Sequence, residues 1–144
     1  MSASGDFDRA IEASHRALEQ IARGDPSGFF ELYSQRDDAT LANPFGAPAR
    51  GRVQIEQAGR RAASNYRDGG AVEFENFAKC VTAELADILE IARFQAKVGG
   101  EAEVSRFALR VTSIFCLEDG TWKLLHRQAD PITEPRPAAS VIQA

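Results

Sequence analysis

The amino-acid sequence predicts an α+β fold, with helices in the first half of the chain and long strands in the second. Apolar residues recur at helical spacing near the N-terminus, two more helical segments follow before residue 68, and a period of two begins at residue 71. Helices and strands separated in this way are typical of a sheet that packs against helices. We expect a curved mixed sheet wrapped around the N-terminal helices, with a pocket between them.

Three helices are predicted in the first half. The apolar spacing between residues 7 and 21 predicts a helix over residues 6–23, which Gly24 ends. Asp25-Pro26 begins a short second helix, because the aspartate can accept hydrogen bonds from free amides and proline suits the first turn. Residues 52–67 form the third helix, which Gly69-Gly70 ends.

Five strands are expected. A short one covers residues 39–42, and the Asn43-Pro44-Phe45-Gly46 turn ends it. Four long ones cover residues 71–83, 85–98, 103–117 and 121–129.

The strand over residues 103–117 has one strongly apolar face. Its members are Phe107, Leu109, Val111 and Phe115. Such a surface is too hydrophobic to remain in water, so we expect it to be the outer face of the sheet and to form a homodimer interface.

The bulk composition fits one globular domain, predicted over residues 1–130, with a proline-rich tail over residues 131–144. The net charge of −4 argues against an extended nucleic-acid surface. No apolar run is long enough to span a membrane. Cys80 and Cys116 are expected to be reduced thiols in a cytoplasmic protein.

Several motifs together point to a family. The markers are Gly24-Asp25, the Tyr33…Asp37-Asp38-Ala39-Thr40 run, Asn43-Pro44-Phe45-Gly46, Gly51 with Ile55, and Asp119-Gly120-Thr121-Trp122-Lys123 with His126. With these markers the chain resembles the NTF2-like superfamily of cone-shaped α+β barrels, which includes nuclear transport factor 2, ketosteroid isomerase and the SnoaL-like polyketide cyclases. Within it, the chain is most similar to SnoaL-like proteins of unknown function grouped as DUF4440.

The resemblance does not extend to the ketosteroid isomerase mechanism. That mechanism needs a carboxylate base and an oxyanion hole of a tyrosine and a protonated aspartic acid. The corresponding positions here are Asn43, Ala17 and Thr112. An amide has no proton-accepting pKa near neutrality, so Asn43 cannot act as the base.

His126 and Asp38 are the candidate catalytic residues. His126 is expected to share a face with Trp122 and Gln128 and to line the interior or the pocket mouth. It is either an acid/base group or hydrogen-bond partner of a ligand, or a buried histidine bonded to a neighbouring strand or carboxylate. Asp38 is either an acid/base group at the pocket or an aspartate that bonds turn amides.

Arg110 is the most unusual candidate for ligand binding. A guanidinium in the middle of a strand, if it faces the interior, needs a carboxylate partner. We keep two interpretations open: an anchor for a carboxylate or enolate of a ligand, or a structural ion pair with Glu90 or Asp38.

The other expected ligand-binding residues would line the pocket or its mouth; they are Asn43, Phe45, Tyr33, Tyr66, Trp122 and Gln128. His15 is expected to pack at the edge or surface of the first helix. Two distant histidines without nearby cysteine or carboxylate ligands do not predict a metal site, and no cofactor is expected.

Two functions fit these observations. The first is a pocket protein that binds a small, largely apolar ligand, as an isomerase, cyclase or lyase does. The second is a non-catalytic module for protein association or oligomerisation. The fold alone does not decide between them.

Overall fold

The computed structural model describes residues 3–143, and its helices confirm the predicted α+β class. They are α1 (Ala3–Ala22), α2 (Ser27–Leu32) and α3 (Gly51–Ala63). Asp25 precedes α2 as expected. Its carboxylate accepts hydrogen bonds from the Ser27 amide at 3.0 Å and from the Ser27 hydroxyl at 2.8 Å. These bonds lower the pKa of Asp25.

The strands form one mixed sheet that packs against the helices. They are β1 (Thr40–Ala42), β2 (Ala49–Arg50), β3 (Tyr66–Val81), β4 (Leu85–Val98), β5 (Ser105–Glu118) and β6 (Thr121–Asp130). Their spatial order is β2-β1-β6-β5-β4-β3. The pair β1 and β6 is parallel, whereas the other neighbouring pairs are antiparallel.

The third helix is shorter than predicted. It ends at Ala63, and β3 already begins at Tyr66, so Gly69-Gly70 lies within a strand instead of ending a helix. The register of β3 against β4 shifts between Arg67 and Gly70, and a Cβ atom at Gly69 would lie 2.6 Å from the Ala22 carbonyl oxygen. Gly69 therefore allows the strand to pass close to the end of α1.

The apolar stripe of α1 packs on the inner face of the sheet, as predicted. Phe7 is fully buried. Its ring makes edge contacts with Phe115 at a centroid distance of 5.2 Å and with Trp122 at 5.7 Å. Burying a side chain of this size contributes about 1.5–3 kcal/mol to folding.

The predicted orientation of β5 is wrong. Val111 and Phe115 are buried in the core, and Phe107 and Leu109 border a cavity beneath the sheet. This apolar face is therefore the inner one. Period-two alternation separates two faces of a strand but does not say which of them a helix covers.

A β-bulge in β6 changes which of its side chains face inward. His126 pairs with Ile114, and Leu124 pairs with Phe115, so Leu125 is an extra residue between the two pairs. Before the bulge, Leu124 shares the inner face with Phe115. After it, Arg127 shares the inner face with Ser113, while His126 lies on the outer face.

Beyond β6 the chain forms little regular structure. A short 3-10 helix covers Ala138–Val141, and its residues are exposed. The predicted boundary at residue 130 coincides with the end of β6, and the division into domain and tail stays a prediction. Both cysteines are free thiols, and no helix within residues 3–143 is long and apolar enough to cross a membrane.

Candidate functional site

A half-open cavity lies between the inner face of the sheet, the end of α1, helix α3 and the loop after β1. Its lining is mainly aliphatic and aromatic: Leu18, Ile21, Ala22, Phe29, Leu41, Asn43, Pro44, Phe45, Gly59, Ala62, Tyr66, Phe94, Phe107, Leu109 and Arg127. The cavity volume is about 50 Å³, several times what one water molecule needs.

One wall of the cavity is a row of stacked rings. The Phe94 and Phe107 centroids are 5.4 Å apart, and those of Phe107 and Tyr66 are 5.2 Å apart with ring planes 9° from parallel. Phe45 continues the row at 5.9 Å from Tyr66 and is 44% exposed. The row therefore leads from the core to the surface and ends in an aromatic side chain at the mouth.

Arg127 is the charged residue in this lining, and only 7% of it is exposed. Within residues 3–143 its guanidinium makes no hydrogen bond and no ion pair; it lies over the face of the Phe29 ring, whose centroid is 5.6 Å from Cζ. Burial lowers the pKa of Arg127, although the Tyr33 phenol and the Glu90 carboxylate oppose the shift. The group nevertheless remains cationic, because an arginine does not lose its proton in a protein.

Two tyrosines lie close to this charge. The Tyr33 hydroxyl donates to the Thr40 carbonyl at 3.1 Å, and burial raises the pKa of that phenol. Burial also raises the pKa of Tyr66 to about 12, with Arg127 acting in the opposite direction. The Tyr66 hydroxyl has no hydrogen-bond partner among the described residues, and the residue borders the cavity. Tyr66 can therefore donate a hydrogen bond to a ligand.

Glu90 is the buried acid of the inner face, at 3% exposure. Its carboxylate accepts a hydrogen bond from Nε2 of His15 at 2.9 Å, and the His15 ring stacks on Phe74 with centroids 3.6 Å apart. Glu90 is therefore not the partner of Arg110, one of the two possible partners left open by the sequence. His15, with 24% of its side chain exposed, packs at the edge of α1, and the His15–Glu90 pair joins α1 to the sheet.

Five of the predicted site residues face the inner side or the mouth. Asn43, Phe45 and Tyr66 line the cavity. Tyr33 is packed in the core beside Phe29. Trp122 is also buried, and its Nε1 is a side-chain donor without a hydrogen-bond partner in the part of the chain that is described.

Asn43 shapes the mouth of the cavity. Its Oδ1 accepts a hydrogen bond from the Phe45 amide at 2.9 Å, and its Nδ2 lies 3.5 Å from the Ala58 carbonyl. The first bond forms a tight turn that positions the Phe45 ring.

Three predicted site residues lie on the outer face, away from the cavity. His126 is hydrogen-bonded through Nδ1 to Thr40 Oγ1 at 2.8 Å. Arg110 donates to the carboxylate of Asp130 at 3.0 Å and 2.9 Å, and Gln128 is exposed beside it. His126 therefore does not line the cavity; it is bonded to a neighbouring strand, which was the alternative interpretation. Arg110 forms a structural ion pair and not a ligand anchor in the cavity, but the expected partners Glu90 and Asp38 are wrong, because the partner is Asp130.

Asp38 is also outside the cavity. Its carboxylate accepts two hydrogen bonds from Arg36, at 2.9 Å and 2.7 Å. These bonds lower the pKa of Asp38. An exposed aspartate with a lowered pKa is a poor proton acceptor near neutrality.

The sequence analysis missed Arg127. Simple alternation along β6 places Trp122, Leu124 and His126 on one face and Arg127 on the other, and the bulge at Leu125 reverses the second half of that pattern. Within residues 3–143, no group of three or more His, Cys, Asp or Glu side chains is placed to hold a metal ion.

Comparison with known proteins agrees with this architecture. The model of the SnoaL-like domain family matches residues 10–132. The chain therefore belongs to the SnoaL-like domain family, and the resemblance to the NTF2-like superfamily is confirmed; the finer grouping as DUF4440 stays a prediction. No curated protein sequence matches the chain significantly.

Solved structures show the same fold at low identity. A nuclear transport factor 2 (NTF2-like) superfamily protein from Salmonella enterica has a TM-score of 0.76 at 14% identity, with 95% of this chain and 98% of the other covered. A ketosteroid isomerase-like protein from Erwinia carotovora has a TM-score of 0.72 at 16% identity, with 88% of this chain and 94% of the other covered. A candidate calcium/calmodulin-dependent protein kinase II association domain from Xanthomonas campestris has a TM-score of 0.73 at 16% identity, with 94% of this chain and 91% of the other covered.

Proposed function

We propose that this protein binds a small, largely apolar ligand in the cavity between the sheet and helices α1 and α3. The observation that carries the proposal is the lining: a continuous aromatic wall with three polar side chains, Asn43, Tyr66 and Arg127. Apolar pockets with a few convergent polar groups are typical of small-molecule sites. The volume of about 50 Å³ favours a compact ligand, or one whose remaining part passes Phe45 to the surface.

The proposed role is binding, without the proton abstraction of a ketosteroid isomerase. No carboxylate or imidazole belongs to the described lining of this cavity. An isomerase, cyclase or lyase reaction there would have to use the Tyr66 phenol as an acid or the Arg127 guanidinium as a charge stabiliser. His126 and Asp38 therefore have no part in the proposal.

An association module is the second candidate, and the outer sheet face is the observation that favours it. Leu85 and Leu89 are exposed on this face, and Leu89 borders a groove with Arg110 and Asp130. We propose that a second copy of the chain covers this face, forming a homodimer. A solved structure with the same fold is described as a candidate kinase association domain. This role is compatible with ligand binding in the cavity.

A pocket-filling variant with a matched control tests the proposed binding. Leu109→Trp fills the cavity from β5, whereas Ala108→Trp adds the same ring to the adjacent residue on the opposite face of the strand. Wild type and both variants are screened by thermal shift with hexanoate, 3-phenylpropanoate, their primary amides and 2-naphthol. We expect at least one compound to raise the melting temperature of wild type and Ala108→Trp but not of Leu109→Trp. Equal shifts in all three proteins, or no shift in wild type, would contradict the proposal.

A further inference from the structure

The environment of Arg127 indicates which charge a ligand of the cavity carries. Its guanidinium is buried, cationic and without an ion pair in residues 3–143, at the border of a largely apolar cavity. An isolated buried charge is among the most costly features of a folded protein, so its position calls for a compensating partner. A ligand that carries the opposite charge is the partner that compensates it best, because it adds charge attraction to the hydrogen bonds.

The nearby protein groups do not neutralise Arg127. Glu90 is the buried carboxylate of the inner face, but it is engaged by His15 at 2.9 Å and makes no ion pair with Arg127. The Phe29 ring offers only its electron-rich face, at 5.6 Å. The fan of N–H donors on the guanidinium is therefore left for a group in the cavity.

A second donor borders the same cavity. The Tyr66 hydroxyl lacks a hydrogen-bond partner within the described chain, and its high pKa of about 12 keeps the proton in place. A phenol and a guanidinium that both donate, with no acidic side chain in the described lining, form an environment that accepts a compact anion.

On this basis, and resting on the proposed function, we infer that the ligand is an apolar monoanion whose carboxylate, or chemically similar enolate, binds Arg127 with Tyr66 as a second donor. The planar guanidinium matches a carboxylate through two parallel hydrogen bonds. A phosphate dianion would call for further cationic groups, and Arg127 is the only one among the described lining residues. The apolar part of the ligand would then lie along Phe94 and Phe107 towards Phe45.

The charge of Glu90 allows a second, independent test of anion binding. Its negative charge faces the same interior, so it opposes the binding of an anion near Arg127. Glu90→Gln keeps an acceptor for His15 and removes that charge. We expect this variant to bind the anion more tightly than wild type, whereas a residue that merely supports the core would not strengthen binding when changed.

The test compares charged and neutral probes of the same shape. The affinities of 3-phenylpropanoate and 3-phenylpropanamide are measured by calorimetry for wild type, Arg127→Met, Arg127→Lys and Glu90→Gln. We expect wild type to prefer the carboxylate by tenfold to a hundredfold (about 1.4–2.8 kcal/mol), because the amide does not form the charged hydrogen bonds. Arg127→Met should abolish the preference, Arg127→Lys should restore part of it, and Glu90→Gln should increase it.

An NMR measurement separates this inference from the proposed function. The Hε resonance of Arg127 is followed during titration with acetate, which lacks an apolar body. A shift that saturates with acetate, without binding of either phenyl probe, supports the anion site and contradicts the apolar-ligand proposal. Equal binding of the acid and the amide, unchanged in Arg127→Met but lost in Leu109→Trp, overturns the inference and leaves the pocket proposal standing. If neither acetate nor the phenyl probes bind, both are overturned.

Discussion

Arg127 lies opposite Ser113 in the antiparallel register of β5 and β6, and both side chains are buried on the inner face of the sheet. The preceding residue, His126, lies opposite Ile114 on the outer face. The bulge at Leu125 separates these positions from the apolar pairs closer to the start of β6. A single inserted residue therefore brings a guanidinium, instead of an imidazole, to the cavity.

The first prediction is that Arg127→Met stabilises the protein. Methionine fills a similar volume without a charge, and removing Arg127 leaves the Glu90–His15 pair intact. We expect the free energy of unfolding to rise by about 1–3 kcal/mol, because the desolvation of a buried charge is no longer required. Urea denaturation measures the change. A loss of more than about 1 kcal/mol would instead mean that Arg127 is needed for folding.

The second prediction concerns the contact between α1 and the sheet. In His15→Ala the Glu90 carboxylate remains buried without its partner, which should cost about 3–5 kcal/mol of stability. Lys79→Ala removes another ion pair between α1 and the sheet, the one with Asp8. Since that pair is exposed, its loss should cost less than about 1 kcal/mol. The free energy of unfolding is measured by urea denaturation. Similar losses in the two variants would show that the buried His15–Glu90 pair contributes no more to stability than the exposed Lys79–Asp8 pair.

The third prediction compares two phenylalanines. Phe7 is 0% exposed, whereas Phe77 on β3 is 61% exposed. Phe7→Ala should lower stability by about 3–5 kcal/mol, because it removes contacts with Phe115 and Trp122 and leaves a cavity. Phe77→Ala should change it by less than about 0.5 kcal/mol. The order is checked by thermal unfolding, and a reversed order would contradict the packing of α1.

The fourth prediction concerns the proposed homodimer interface on the outer face of the sheet. Leu89 is 37% exposed there, so Leu89→Asp should reduce the mass in light scattering from dimer to monomer while the circular dichroism spectrum stays unchanged. Leu109 borders the inner cavity, so aspartate at that position should affect ligand binding and stability, not dimer contacts. A wild-type protein with the mass of a monomer in light scattering would contradict the proposed homodimer.

The fifth prediction concerns acid stability at the end of β6. Burial alone would raise the pKa of Asp130, but hydrogen bonds from Arg110 and from the Ile132 amide lower it overall. A lowered folded-state pKa contributes stability above the unfolded value of about 3.9. The contribution is lost as the pH falls through the lower folded value.

Asp130→Asn should therefore lose stability at neutral pH and show a flatter decline below about pH 4. Urea denaturation across this range measures the effect. Asp119→Asn, in the exposed turn between β5 and β6, is the control. An identical acid decline in wild type and Asp130→Asn would argue against a role for the pair with Arg110.

Much of the architecture could be predicted because its signals are local. The helical spacing that includes Phe7 and Leu18 predicts α1 and the face that packs on the sheet. The period of two over residues 103–117 predicts β5 and its two faces. Nothing local says which face the helix covers, so the sequence pattern alone does not place Leu109 on the inner side of the sheet.

The site depended on two irregularities that local pattern does not reveal. Gly69-Gly70 is typical of a helix end, yet here it allows a strand to pass α1 closely. The extra residue at Leu125 arises from pairing with β5, which is a tertiary relationship. The sequence alone therefore does not identify Arg127, which follows His126 in the last strand, as a residue of the cavity.

A crystal structure of the protein soaked with 3-phenylpropanoate would show whether Arg127 binds the carboxylate of an apolar ligand. We expect carboxylate oxygens about 3 Å from the guanidinium nitrogens of Arg127, with the phenyl ring against Phe107 and Phe94. Electron density for the acid beside Arg110 on the outer face, or an Arg127 side chain turned away from the cavity to pair with Glu90, would contradict this expectation.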